Sequence, residues 1–347
     1  MPRSDVSRQT SLAQQSVHRL LEGLRAERFI ALGEADIRGR GKPSPSVLID
    51  GSRFASVGLA LTSQFPRYAL VDLSGQVLDS GEIDAPPGDK AAVLAALDRH
   101  IADWRAAGRQ ELIGLGLALE ALREGPETFT AAAPLADWSR KALRQILTER
   151  YDLPVYTERS AGAAAMAEYY LGKARDFGCF AYLAFNQSFD CGLVYSRQVF
   201  AGQSGNAADV AQLFGKVGAH PTPALACLLE HYRRSGAAAE LADLGSKPPE
   251  ADPILNHWLT QLRPELQLAT RALRAVVDVG AIYIGGDAPL ALRQHLAAVA
   301  SSGLCLSDAP GPQIMASEIV GDAAHLGAAL LPLHARVYSP PVFACAD

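Results

Sequence analysis

Residues 57–78 read VGLALTSQFPRYALVDLSGQVL. Val57–Leu61 and Tyr68–Leu73 are apolar runs of strand length, and Ser74-Gly75-Gln76 is a tight-turn tripeptide that leads into a third strand at Val77-Leu78. Outward from this meander the pattern alternates. Lys90–Ala107 predicts an amphipathic helix with Leu94, Leu97, Ile101 and Trp104 on one face, Leu112–Leu119 a buried strand, and Trp138–Arg150 another helix. Val155-Tyr156 reads as a short strand running into an Ala-rich helix at Ala161–Tyr170. Phe180–Phe185 and Gly192–Tyr195 follow as strands, then helices at Pro223–Arg234 and Asp252–Val277, a strand at Ala281–Ile284 ending in Gly285-Gly286, and a last helix at Ala323–Leu330. Repeated strand–helix alternation predicts a two-lobed α/β body.

The first fifty residues are different. Val6, Leu12, Val17, Leu20, Leu21 and Leu24 recur at helical spacing with a polar break at Thr10-Ser11, so the second of two helices is expected from about Ala13 to Glu27. Phe29–Leu32 and Val47–Ile49 are short apolar runs on either side of a basic, Gly-rich tip, Arg38–Pro43. Helix, turn, helix, strand, basic tip, strand is the order of a winged helix-turn-helix. Residues 1–30 carry five Arg against three acids, a net +2, whereas the remainder is acidic.

With 347 residues, 49% hydrophobic, 20% charged and 7% aromatic, the chain is long enough for two or three domains with real cores. A net charge of -5 excludes a globally basic nucleic-acid coat but leaves room for a local DNA-reading surface. No apolar run reaches the ~20 residues of a membrane span, and MPRSDVSRQT lacks the apolar stretch of a signal peptide. Cys179, Cys191, Cys227, Cys305 and Cys345 are scattered, which gives neither a disulfide framework nor a zinc cage. A soluble, cytoplasmic protein with no membrane partner is expected.

From about Arg3 to Leu330 the chain resembles the ROK family, which contains bacterial sugar kinases and sugar-responsive repressors. The resemblance is carried by Tyr68–Gly75 (a strand hairpin), Ala161–Glu168 (AGAAAMAE, the helix after the catalytic loop), Gly192–Gly205, Ala281–Gly286 and His325–Ala329. It implies an α/β, two-lobed actin-like/hexokinase (ribonuclease H-like) fold preceded by a winged helix-turn-helix. The expected domains are 1–52 for DNA binding and 53–347 for effector binding, the latter in lobes of roughly 53–155 and 156–347. Ala13–Leu20 sits where the family's repressors carry their recognition helix, and Arg40-Gly41-Lys42-Pro43 resembles their wing. The family's winged domain begins one helix earlier, so the module is expected to be truncated.

The family's kinase motifs are altered here. D-I-G-G-T-K reads Ala60-Leu61-Thr62-Ser63-Gln64-Phe65, in which the acid is gone and both glycines carry side chains. E-N-D reads Glu158-Arg159-Ser160, and serine is no base at neutral pH without one of its own. T-G-I-G-A-G reads Gln187-Ser188-Phe189-Asp190-Cys191-Gly192, where Asp190 would repel phosphate. Of the family's zinc cysteines only His220 and Cys227 offer ligands, too few for a tetrahedral site. Neither catalysis, cofactor nor metal is expected.

The sugar loop G-E-I-G-H reads Ala208-Asp209-Val210-Ala211-Gln212, which keeps an acceptor and a hydrogen-bonding group. Glu230 stands near the family's distal Glu, and Glu120 adds a carboxylate near the cleft. The candidate effector residues are therefore Glu120, Glu158, Arg159, Ser160, Asp209, Gln212 and Glu230. For Arg159 a structural ion pair with Glu158, Asp209 or Glu120 is the competing reading. Gln14, Gln15, Ser16, His18 and Arg19 on the second helix, with Arg38, Arg40 and Lys42 on the wing, are the candidate DNA contacts; the competing reading is a solvated helix face and an ordinary basic loop. The expectation is a homodimeric regulator of double-stranded operator DNA controlled by a small polar effector, a sugar or derivative. Its rivals are a sensor or scaffold that does not bind DNA, and an enzyme with changed chemistry at Glu120, Glu158 or Asp209.

Overall fold

The meander at residues 57–78 lies at one side of a five-stranded sheet, and the second half of the chain builds the same sheet again. The computed structural model describes residues 2–36, 44–108, 110–125, 127–214, 223–302 and 311–338. At the N-terminus, α1 (Arg3–Thr10) and α2 (Gln14–Ala26) precede β1 (Ile30–Asp36) and β2 (Ser44–Ile49), which pair antiparallel in a two-stranded sheet of their own. Val17 and Leu21 are the buried positions of α2.

The first large sheet contains β3 (Phe54–Leu61), β4 (Pro66–Asp72) and β5 (Val77–Glu82), an antiparallel meander. After α3 (Lys90–Ala107) come β6 (Glu111–Leu119), the short antiparallel pair β7 (Leu122–Arg123) and β8 (Phe129–Thr130), α4 (Leu143–Tyr151), and β9 (Val155–Arg159). The sheet order is β5-β4-β3-β6-β9, with β6 and β9 parallel to β3. Asp89 caps α3 by accepting the Ala92 amide at 3.0 Å, and Gly108 ends it in the left-handed region.

Next, α5 (Ser160–Leu171) leads to β10 (Cys179–Phe185), β11 (Phe189–Tyr195) and β12 (Gln198–Val199). Helices α6 (Leu225–Arg234) and α7 (Pro253–Ala272) precede β13 (Ala281–Gly285), and α8 (Leu290–Ser301), β14 (Gln313–Ala316) and α9 (Ala324–Leu333) complete the pattern. The order β12-β11-β10-β13-β14 repeats the first sheet, with antiparallel pairs on one side and parallel pairs on the other. Each half ends in one helix, α5 or α9, and these two cross between the sheets.

That crossing depends on small residues. A Cβ on Gly327 would stand 1.7 Å from the Ala163 carbonyl oxygen, and where β6 packs under α9 one on Gly116 would stand 1.8 Å from that of Ala328. The AGAAAMAE run is buried throughout because α5 is covered on every side. One apolar cluster fills the first sheet against α3 and α4, and another fills the second sheet against α6, α7 and α8.

The structure corrects several expected boundaries. The helix expected at Trp138–Arg150 is two pieces, a 3-10 turn at Leu135–Trp138 and then α4. Between them Ser139 is extended, its hydroxyl accepting the Ala131 amide, and Arg140 is left-handed at φ 53, so no helix runs through. The helix expected at Asp252–Val277 is α7 followed by a π turn over Leu273–Val277. Helix α8 and strands β7, β8 and β14 were not anticipated.

A cleft between the sheets crossed by charged side chains

Strands β3, β6, β9, β10 and β13 all deliver their carboxyl ends to the same place, where the two sheets face each other across α5 and α9. In open α/β sheets this is where ligands are held. Side chains of the two halves bridge it in succession.

At one end Arg67 of β4 donates to Asp287 at 2.8 Å and to Glu82 at 3.1 Å. Asp287 follows β13, and its backbone amide is held by the Asn186 side chain at 2.7 Å. Asp322, just before α9, lies beside Asp287, and its amide donates to that carboxylate at 3.2 Å. Burial first, and then the neighbouring Asp287, pushes the Asp322 carboxyl well above the usual range, while Arg67 opposes the rise. His325, in the first turn of α9, is lowered to about 4 by burial, with the Arg67 charge assisting. Asp322 Oδ2 and His325 Nδ1 are buried without a hydrogen-bond partner among the described residues.

In the middle, the Glu120 carboxylate accepts the Ser63 amide at 2.7 Å and the Ser63 hydroxyl at 3.3 Å, both from the β3–β4 turn. From the opposite half it accepts the Ser188 hydroxyl of the β10–β11 turn at 2.5 Å.

At the other end Arg159, the last residue of β9, pairs with Asp190 of β11 and donates to the Ala207 carbonyl at 3.1 Å. Asp190 is pushed up to about 6; burial raises it, Arg159 holds it down, and Asp209 and Glu120 add to the rise. Beside this pair the Asn206 amide group and the Arg123 backbone exchange two hydrogen bonds, each 2.7 Å. These partners lock the 206–209 loop onto the first half.

The candidate effector residues fall into three groups. Glu120, Arg159 and Asp209 belong to the cleft, the last holding Gln212 at 2.7 Å. The Arg159 ion pair exists, but its partner is Asp190, and not Glu158, Asp209 or Glu120 as expected; strand β9 aims Arg159 across to β11. Ser160 is buried at the start of α5. Glu158, its carboxyl raised chiefly by burial, accepts the Arg159 amide and lines a cavity of about 420 Å³ with Arg123, Arg144 and Tyr156. Glu230 stands apart: Arg233 and Arg234 of its own helix take its carboxylate at 2.6 Å and hold it down to about 2. Sequence reasoning missed Ser63, Arg67, Ser188, Asn206, Asp287, Asp322 and His325; a useful signal was Asp287 directly after Gly285-Gly286.

On the N-terminal elements Gln14, Gln15 and Arg19 are exposed and Ser16 is half-buried. His18 stands 3.1 Å from Arg3 of α1, which also pairs with Glu22 at 3.0 Å. Arg38, Arg40, Lys42 and His220 lie outside the described residues. No group of three or more His, Cys, Asp or Glu suited to a metal ion occurs among the described residues, and no described helix is long and apolar enough to cross a membrane.

Two similar half-sheets closed over a pair of crossing helices define the two-sheet α/β fold of actin-like sugar kinases and their regulators. Residues 58–214 match the model of the ROK family. The chain is 23% identical over 216 residues to the xylose repressor of Bacillus subtilis, covering 61% of this chain and 56% of that one, so it spans little more than half the length of that relative. Among solved structures, a ROK family transcriptional regulator homologous to the E. coli Mlc protein superposes with a TM-score of 0.75 at 18% identity, over 96% of this chain and 92% of that one. A ROK family glucokinase from Streptomyces griseus, in complex with glucose and AMPPNP, superposes with a TM-score of 0.64 at 18% identity, over 79% of this chain and 98% of that one.

Proposed function

We propose that this chain is a sugar-responsive transcriptional repressor whose kinase-like cleft senses a small polar ligand without turning it over. The observation that carries the non-catalytic reading is the Arg159–Asp190 pair. An enzyme transferring phosphate here needs a free carboxylate base and an uncrowded anion path. Instead, a guanidinium and a carboxylate occupy each other across the cleft, and Ser160 stands where the family motif carries its acid.

Two helices followed by an antiparallel strand pair support a winged helix-turn-helix reading of residues 1–52. In it α2 offers Gln14, Gln15, Ser16, His18 and Arg19 to the major groove while Val17 and Leu21 anchor its inner side. Arg38, Arg40 and Lys42 would contact the backbone. One such module buries too little surface for useful specificity, so the working form is a homodimer on a two-fold operator, in the cytoplasm. A ligand that favours one arrangement of the two halves shifts the operator-binding equilibrium by its differential affinity.

The test is electrophoretic and footprinting titration of the purified protein against DNA flanking its own gene, with and without a panel of neutral sugars that starts with xylose, beside a coupled Mg-ATP turnover assay on the same panel. Sequence-specific protection released by one sugar, with no turnover, is expected. Turnover above background would overturn the non-catalytic reading, and absence of any protected site at low salt would favour a sensor that does not bind DNA.

A further inference from the structure

We propose that the turn donors around Glu120 form an anion-binding site whose resident ligand is the chain's own carboxylate, and that Glu120 thereby latches the two halves together. Three donors converge on one side chain: the Ser63 N–H and O–H from the β3–β4 turn and the Ser188 O–H from the β10–β11 turn. A backbone amide with two hydroxyls, drawn from two loops, is the donor set that grips a carboxylate or phosphate oxygen. Glu120 follows β6 in the first half, so its bond to Ser188 crosses the cleft, whereas its bonds to Ser63 stay within the first half.

The surrounding charge fits a fixed internal anion. Glu120 raises both Asp190 on one side and Asp322 on the other, so it sits between the two ion-pair clusters. An incoming phosphate would face these acids together with a seated carboxylate. The cleft therefore selects ligands without phosphate, and opening it requires the Glu120–Ser188 bond to break. Ser188 is exposed and Ser63 and Glu120 are half-buried, so a small anion from solvent can reach the donors once the side chain is removed. This inference concerns the cleft alone and stands whether or not the protein reads DNA.

The experiment is hydrogen–deuterium exchange of the backbone amides in 62–65 and 186–190, on the full chain, for wild type, Glu120→Ala and Glu120→Gln. Each is measured in excess sodium formate, inorganic phosphate, or chloride matched for ionic strength. In Glu120→Ala, exchange in both loops is expected to quicken by about tenfold, the size of losing one hydrogen bond to a charged group. Formate or phosphate, and not chloride, restores the slow exchange, while wild type ignores all three. Glu120→Gln keeps the volume and one acceptor oxygen but no charge, so it loosens the loops to a smaller degree without anion rescue. Wild-type exchange in either variant overturns the latch. Fast exchange in Glu120→Ala that neither anion slows overturns the anion site; should that variant not fold, the Glu120→Gln result decides alone.

Discussion

Arg159 and Asp190 lie in different sheets, 31 positions apart, and neutralise each other across the cleft. Arg159 is 5% exposed and its Nε has no hydrogen-bond partner among the described residues, so the pair is incompletely satisfied as well as deeply placed. Removing one member strands the other. Arg159→Ala is expected to cost about 3–5 kcal/mol, because the carboxylate stays buried without its cation. Combining Arg159→Met with Asp190→Leu should recover most of that loss, since an apolar pair avoids the desolvation cost. Urea denaturation of the three proteins checks this; a double variant no better than Arg159→Ala would show that the pair does more than neutralise charge.

The pH dependence of stability separates two largely desolvated groups of opposite sign. His325 has a folded pKa of about 4, below its ordinary 6.5, so the unfolded chain takes up the proton first. Its contribution is complete above about pH 6.5 and is lost as pH falls toward 4, by about 3 kcal/mol at most. Asp190 behaves in reverse. Its folded pKa is about 6 against 3.8, so the folded chain holds the proton longer and stability falls as pH rises from about 4 to about 6. Melting temperatures of wild type and His325→Leu across this range should therefore diverge progressively below pH 6.5, the variant losing less. Parallel curves would place the His325 titration elsewhere.

Backbone contact between α5 and α9 makes Gly327 intolerant of a methyl group. Gly327→Ala must push the helices apart against the Ala163 carbonyl, at an expected cost of about 3 kcal/mol or more. Gly23 in α2 has no heavy atom within 4 Å of the Cβ position, so Gly23→Ala should stabilise the protein by about 0.5–1 kcal/mol. Thermal denaturation of the two variants provides opposite signs to verify.

On the proposed operator, Arg19→Ala is expected to lose about 1–3 kcal/mol of affinity and to relax preference at one base pair, as loss of a bidentate base contact does. Fluorescence anisotropy on the footprinted site and its single-base variants measures both. An equal loss on every sequence would instead make Arg19 a phosphate contact.

Much of the fold was legible because its elements obey simple periods. Lys90–Ala107 was legible from its apolar face, and the observed helix, capped by Asp89 and ended at Gly108, has those limits. The meander around Ser74-Gly75 was equally plain. Helix α8 escaped because Arg293, in its first turn, interrupts the apolar face and is nonetheless buried. It donates to the carbonyls of Gly286, Ala288, Ser317, Ile319 and Gly321, a role that only tertiary structure reveals. The cleft was legible in part for a related reason. Glu120 and Arg159 were picked out by resemblance to the family's motifs, but their partners Ser63, Ser188 and Asp190 lie in segments read only for what they lacked. Glu230 misled because only its resemblance to the family's distal Glu pointed to the cleft, whereas Arg233 and Arg234 sit at helical spacing beside it and compete for it locally.

Only Asp50–Arg53 separate β2 from β3, and those four residues are stiffly held. Ser52 donates to Asp50 at 2.8 Å, Arg28 to Ser52 at 2.8 Å and Arg53 to the Glu27 carbonyl at 2.5 Å, while the rings of Phe29 and Phe54 sit 4.8 Å apart. A joint this short and this braced has little give with which to absorb motion. The N-terminal helices thus ride on the first sheet like a pointer fixed to a dial. Under the proposed ligand response, a rotation of that sheet about the α5–α9 crossing would carry α2 with it, and with α2 the exposed Gln15 and Arg19.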